Sequence, residues 1–150
     1  MTGSDSRLDK NTTRYHNIYM RRIFKTKTFN RWMRKLPLSD KVLLKAVDEM
    51  EHGLVDADLG GNDSQDKVYK KRIALPGKGK SGGTRTIVAT NKGGRWFFLY
   101  GFEKNDKDNI TMNELASLRD IAEAWLAAPD SALSEAIAYD ELVEICDEYQ

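Results

Sequence analysis

The order of elements predicted for this 150-residue chain is that of an α+β domain: two helices, then three consecutive strands, then two more helices. Three observations carry this. Apolar residues recur at i, i+3, i+4 through Phe29, Trp32 and Met33 and again from Val42 to Met50, the period of amphipathic helices. Between Arg72 and Phe102, three short apolar stretches are separated by glycine-rich turns, as in hairpin-linked strands. Beyond Thr111 the helical period returns. The length suits one domain with a single core.

Residues 1–19 hold few apolar side chains and no period, and are expected to form a flexible extension, with the ordered domain beginning near Met20. They lack the apolar centre of a signal peptide, and no apolar run approaches the roughly 20 residues that span a bilayer. Arg21 to Lys25 is a candidate short strand. Thr28 is a candidate cap for the first helix, which Leu36-Pro37-Leu38 ends. Ser39 is a good N-cap for the second, whose stripe is Val42, Leu43, Ala46, Val47 and Met50, with Gly53 as its stop. The two make a helical hairpin. Residues 54–67, with Gly60-Gly61-Asn62-Asp63-Ser64, read as a polar connection.

The strands are expected at 72–75, 84–89 and 95–102, joined by a loop from Pro76 to Gly83 and a turn at Asn91-Lys92-Gly93-Gly94. Nearly every side chain of Arg95 to Phe102 is apolar or aromatic, which predicts a central strand covered on both faces. Thr111-Met112-Asn113-Glu114 has the spacing of a capping box and opens a helix through Leu115, Leu118, Ile121, Ala122 and Trp125. Pro129 ends it and Ser131 starts another. Leu142 to Ile145 is a short strand or helix.

The formal net charge of +1 conceals a polarity. Residues 1–50 hold 12 Lys/Arg against 5 Asp/Glu, residues 51–109 hold 11 against 8, and residues 110–150 hold 1 against 10. Such asymmetry fits a polyanion-binding body beside an acidic segment, or acidic helices with solvated outer faces. The lone Cys146 excludes an intrachain disulfide and fits a reducing cytoplasm.

Gly77-Lys78-Gly79-Lys80-Ser81-Gly82 matches the letters of a dinucleotide fingerprint, but that motif leads from a strand into a helix, and here it leads into a strand. A P-loop would need a glycine where Ala74 stands. The glycines are better suited to a hairpin loop whose backbone N–H groups approach a phosphate. His16 and His52 have no partner spacing, and Asp56 and Asp58 read as solvated loop acids, so no metal or cofactor is expected. What remains is cationic: Lys70, Lys71, Arg72, Lys78, Lys80, Arg85, Arg95 and Lys104 around the glycine-rich region. Guanidinium and ammonium groups can hold a phosphate and stabilise the extra negative charge of a pentavalent phosphorane when a ribose 2′-OH attacks it.

Arg21-Arg22-Ile23-Phe24-Lys25, Phe29, Trp32, Lys71-Arg72-Ile73-Ala74-Leu75-Pro76-Gly77, Lys80-Ser81-Gly82-Gly83, Arg85-Thr86-Ile87-Val88-Ala89 and Phe97-Phe98-Leu99-Tyr100-Gly101-Phe102-Glu103-Lys104-Asn105 together resemble the RelE/ParE superfamily, most closely the HigB-type toxins of type II toxin–antitoxin modules. The resemblance implies a small antiparallel sheet packed against the N-terminal helical hairpin, with C-terminal helices, over residues 20–150. It implies a metal-independent endoribonuclease that cuts mRNA on the ribosome, and a cognate antitoxin, expected to be a helix-turn-helix protein encoded nearby. Carried over by position, Arg72, Arg85 and Lys104 are the expected catalytic residues, and Lys71, Lys78, Lys80 and Lys107 the expected RNA or ribosome contacts. Two features depart from the family pattern. Thr84 stands where an aromatic residue often precedes the arginine, and Asp106, Lys107 and Asp108 offer no histidine or tyrosine after the last cation; Tyr100 is the nearest candidate replacement. A ParE-like inhibitor of DNA gyrase and a non-catalytic RNA- or ribosome-binding module are the alternatives.

Overall fold

The computed structural model describes residues 21–77, 79–91, 94–104, 107 and 109–147; the expected N-terminal extension lies outside them. The chain runs β1 (Arg22–Thr26), α1 (Lys27–Met33), α2 (Asp40–Glu51), β2 (Ala57–Asp58), β3 (Lys67–Leu75), β4 (Gly79–Thr90), β5 (Arg95–Glu103), α3 (Met112–Ala127), α4 (Asp130–Ala138) and β6 (Leu142–Ile145). The strands form one sheet in the order β2-β3-β4-β5-β1-β6. Every pairing is antiparallel except that of β1 with β5, which the long excursion through α1 to β4 makes parallel.

Both faces of the sheet are covered. Phe29, Met33, Leu43, Val47 and Met50 from the helical hairpin pack on Ile23, Ile73, Val88 and Phe98. Leu118, Ala122, Leu126, Leu133 and Ala136 from α3 and α4 pack on the opposite face, against Phe24, Val68, Ile87, Ala89 and Phe97. Strand β5 is the centre of this sandwich: Trp96, Phe97, Phe98 and Leu99 are all buried. Phe97 stacks on Phe24 at 4.8 Å between ring centroids, while Phe98 meets Phe29 on the other face at 5.3 Å.

The element ends show local chemistry at work. Thr26, not Thr28, caps α1, its hydroxyl accepting from the Phe29 N–H at 3.1 Å. Gly53 stands just past α2 with φ +86°, a left-handed stop that suits a residue without Cβ. The capping box of α3 forms as expected between Thr111 and Glu114. Helix α4 begins at Asp130, and 142–145 is a strand. The expected glycine loop is shorter than the sequence indicated. Strand β4 starts at Gly79, with Leu75 paired to Gly79 across a register shift, so the two strands close much nearer together than the expected loop from Pro76 to Gly83. Strand β3 likewise begins at Lys67, and β2 emerges from the expected polar connection.

Charged groups lock the two ends. Arg21, almost wholly buried, reaches Asp48 at 2.9 Å, Glu51 at 2.7 Å and Asp147, tying the start of β1 to α2 and to the segment after β6. Arg95 directs Nη1 at the carbonyls of Trp125, Leu126 and Ala128 and Nη2 at Asp130, capping the negative end of α3.

Gly101 on β5 lies so close to Trp32 that a Cβ there would fall within the indole ring. Gly101→Ala is therefore expected to lower stability in urea denaturation by about 1–3 kcal/mol. In a Trp32→Leu background the same substitution should be better tolerated.

Candidate active site

Residues directly opposite in adjacent antiparallel strands project to the same face of a sheet. Arg72 on β3 pairs with Arg85 on β4, and Arg85 pairs with Phe102 on β5. One step along the same face, Lys70 pairs with Ile87 and Ile87 with Tyr100. The rows lie on the face that α3 and α4 cover, the Arg72–Arg85 row nearer the β3–β4 hairpin and the Lys70–Ile87 row nearer the middle of the sheet. Two arginines, a lysine and two aromatic rings thus converge on one patch. Tyr100 and Phe102 are tilted ring neighbours, 5.9 Å apart.

Arg85 is the focus. It is only 6% exposed, and its Nη1 has no hydrogen-bond partner, the one buried side-chain polar atom in that state among the described residues. Leaving a buried charged donor unsatisfied costs more than the roughly 1–3 kcal/mol of a neutral one. Strand pairing on both sides fixes the backbone that carries it. A guanidinium so placed is preorganised for an anion.

Its neighbours are more open. Arg72 has 44% of its side chain exposed, with Nε 3.7 Å from Asp56; Asp56 also accepts the Arg72 backbone N–H at 2.6 Å. In an exposed pair of this kind the attraction is weak, so the guanidinium remains available to a phosphate. Lys104 is exposed one residue beyond the Thr84–Glu103 pair, at the same end of the sheet. Lys107 lies 5.8 Å from the centre of the Tyr100 ring and donates to Glu114 at 2.6 Å. That hydrogen bond raises the Lys107 pKa and lowers that of Glu114. The lysine therefore stays an ammonium at neutral pH and is not a proton acceptor.

The remaining expected contacts separate. Lys71 faces the other side of β3 from Arg72, because successive strand residues alternate. Its side chain is 4% exposed, with the ammonium 2.7 Å from Glu49 and 2.9 Å from the Leu54 carbonyl. The expectation that Lys71 meets RNA is corrected: it is engaged inside the fold. Lys78 and the side chain of Lys80 lie outside the described residues. Asp58 accepts the Gly60 N–H at 2.9 Å, so both loop acids have structural partners. Among the described residues no three His, Cys, Asp or Glu side chains gather as metal ligands would. Phe102 joins the patch without having been singled out for it, and Lys70, noted only among the cations around the glycine-rich region, joins it too. The period-2 alternation from Lys70 to Arg72, and the pairing of β4 with β5, are the signals that place them.

Two outcomes test this partition. Lys71→Ala removes a buried ammonium that pairs with Glu49 and donates to the Leu54 carbonyl, and should lower stability by about 1–3 kcal/mol while leaving RNA affinity per folded molecule unchanged. The Glu114 carboxyl, followed by NMR, should titrate below the ordinary glutamate value and move back up in Lys107→Met. Because its folded pKa is depressed, its contribution to stability is present above the unfolded value and lost as pH falls through the folded one.

No curated protein matches the chain. A family model described as the RelE toxin of the RelE/RelB toxin–antitoxin system matches residues 21–145, from the first residue before β1 to the last of β6. With that match spanning the whole sheet and all four helices, the chain belongs to the RelE toxin family and is the toxin of a toxin–antitoxin system.

Proposed function

We propose that this toxin is a ribosome-dependent, metal-independent mRNA endoribonuclease that stops translation in the cytoplasm. The observation that carries the reading is Arg85: a nearly buried guanidinium with an unpartnered Nη1, flanked on the same sheet face by Arg72 and Phe102. RelE-family membership supports both the chemistry and an antitoxin partner. That antitoxin is a helix-turn-helix protein encoded beside the toxin. Within the family, the run Tyr100-Gly101-Phe102-Glu103-Lys104 favours the HigB-type branch.

In this mechanism the ribose 2′-OH loses its proton and attacks the adjacent phosphorus. A 2′-O–P bond forms, the P–O5′ bond breaks, and the leaving 5′-oxygen takes a proton. Charge accumulates on the non-bridging oxygens of the phosphorane, where Arg85 donates from a fixed position and Arg72 adds a second guanidinium. Lys104 holds the neighbouring backbone as a point charge. Arg85 and Arg72 act on charge that grows in the transition state, which is where stabilisation accelerates the reaction.

Purified toxin added to translating ribosomes should produce discrete mRNA ends, mapped by primer extension. Arg85→Ala should reduce that cleavage by about 10²–10³-fold, the usual effect of removing one preorganised oxyanion donor. A sulfur at a non-bridging position of the scissile phosphate should slow the reaction without rescue by thiophilic metal ions. Intact mRNA with both wild type and variant would remove the reading. Inhibition of gyrase supercoiling in its place would establish the ParE-like alternative.

A further inference from the structure

The connection between β2 and β3 meets the middle of α3 in a patch of carboxylates. Asn62 donates its side-chain amide to Asp120 at 2.8 Å and to Glu123 at 3.1 Å, which draws the connection onto the helix. Asp63 and Asp66 stand in the same segment. Arg119, the one basic residue of 110–150, is turned elsewhere and donates to the Leu59 carbonyl at 3.0 Å. Exposed acids alone would be an ordinary solvated surface. Asp66 differs from them. It is 8% exposed, and among the described residues no hydrogen bond or ion pair reaches its carboxylate. Gly61 turns over it so closely that a Cβ there would come within 2.6 Å of the Asp66 Cβ. Burial, followed by the charges of Asp63 and Glu123, raises the Asp66 pKa above the ordinary aspartate value. Its oxygens are not sealed as Arg85 Nη1 is, so a group from outside can reach them. By alternation Asp66 falls on the face of Val68, Lys70 and Arg72, about 20 Å along the strand from Arg72.

We infer that this niche anchors the antitoxin: one arginine or lysine of that protein enters between residues 61–66 and α3 and pairs with Asp66, with Asp63 and Glu123 at the mouth. The inference rests on the toxin's having an antitoxin partner and is independent of the endoribonuclease reading. Charge complementarity selects the occupant. The acids do not gather closely enough to enclose a metal ion, whereas a cation on a long, flexible stem can reach Asp66 and still touch the outer pair. In the free toxin the unpaired, nearly buried carboxylate is a cost to stability. An incoming cation removes that cost and adds charge-assisted hydrogen bonds. The acceptor is also held in place before the partner arrives, so little freedom is lost on docking. Asp66 lies well away from Arg72 and Arg85, and its role is in binding rather than in catalysis.

The test measures the dissociation rate of the complex between the full-length toxin and the full-length antitoxin encoded beside it. Asp66→Asn should speed dissociation by about 10–100-fold, and Glu123→Gln, at the exposed mouth, by less. The free Asp66→Asn toxin should melt about 2–4 °C above wild type at neutral pH, since a carboxylate whose pKa is raised on folding lowers stability once ionised. A carboxylate with a purely structural role would lower the melting temperature on replacement. When each arginine and lysine of the antitoxin is changed to methionine in turn, one variant should speed dissociation from wild-type toxin by a similar factor and add nothing in Asp66→Asn. Unchanged dissociation in Asp66→Asn, a lowered melting temperature in that variant, or effects of every antitoxin cation that simply add to it would each overturn the assignment.

Discussion

Burial of β5 on both faces is the constraint from which the rest of the molecule follows. Trp96 to Leu99 pack against one helix pair or the other, so no charge can be tolerated along the middle of the sheet. Cations are confined to strand ends, edges and places where a counter-charge is built in. Arg85 is the exception: it lies opposite Phe102, near the end of β5, where the strand ladder still holds its backbone but a buried donor is left unsatisfied. Stability is reduced at that point, and the return is a guanidinium that needs no reorganisation to meet an anion.

The same constraint explains why so few of the many cations belong to the site. Arg21, Lys25, Lys71 and Arg95 are each buried or partly buried and engaged with Asp147, Asp40, Glu49 and the end of α3 respectively. The acidic C-terminal region supplies part of that counter-charge, with Asp130 and Glu144 on Arg22 and Asp147 on Arg21. The charge polarity along the chain is therefore partly an internal pairing between its two ends, and not only a feature offered to outside partners. Arg72, Arg85 and Lys104 remain toward the hairpin end, with Lys70 one step along β3 and Lys107 shared between Glu114 and the Tyr100 ring.

The helices and the central strand were readable in the sequence because their patterns are long. Two and a half to three turns of apolar spacing, or the nearly unbroken apolar run from Trp96 to Phe102, leave little choice. The glycine-rich segment was harder. Gly79, Gly82 and Gly83 signal a loop locally, yet pairing with β3 carries β4 back to Gly79, a tertiary gain that local propensity does not contain. Thr26 and Thr28 are equivalent caps by type, and only the end of β1 decides between them. The site divides in the same way. Arg72 and Arg85 could be singled out as candidate phosphate ligands by residue type. Lys71 could have been set aside by alternation alone, since it cannot share a face with Arg72.

The central claim is that the free donor of Arg85 faces the scissile phosphate. The most direct measurement is a structure of the toxin on a ribosome whose mRNA carries a 2′-O-methyl group at the cleavage position, which blocks attack and holds the substrate in place. The account predicts Arg85 Nη1 within hydrogen-bond distance of a non-bridging oxygen, with Arg72 on the same phosphate. A phosphate bound elsewhere, with Arg85 turned to a protein acceptor, would contradict it.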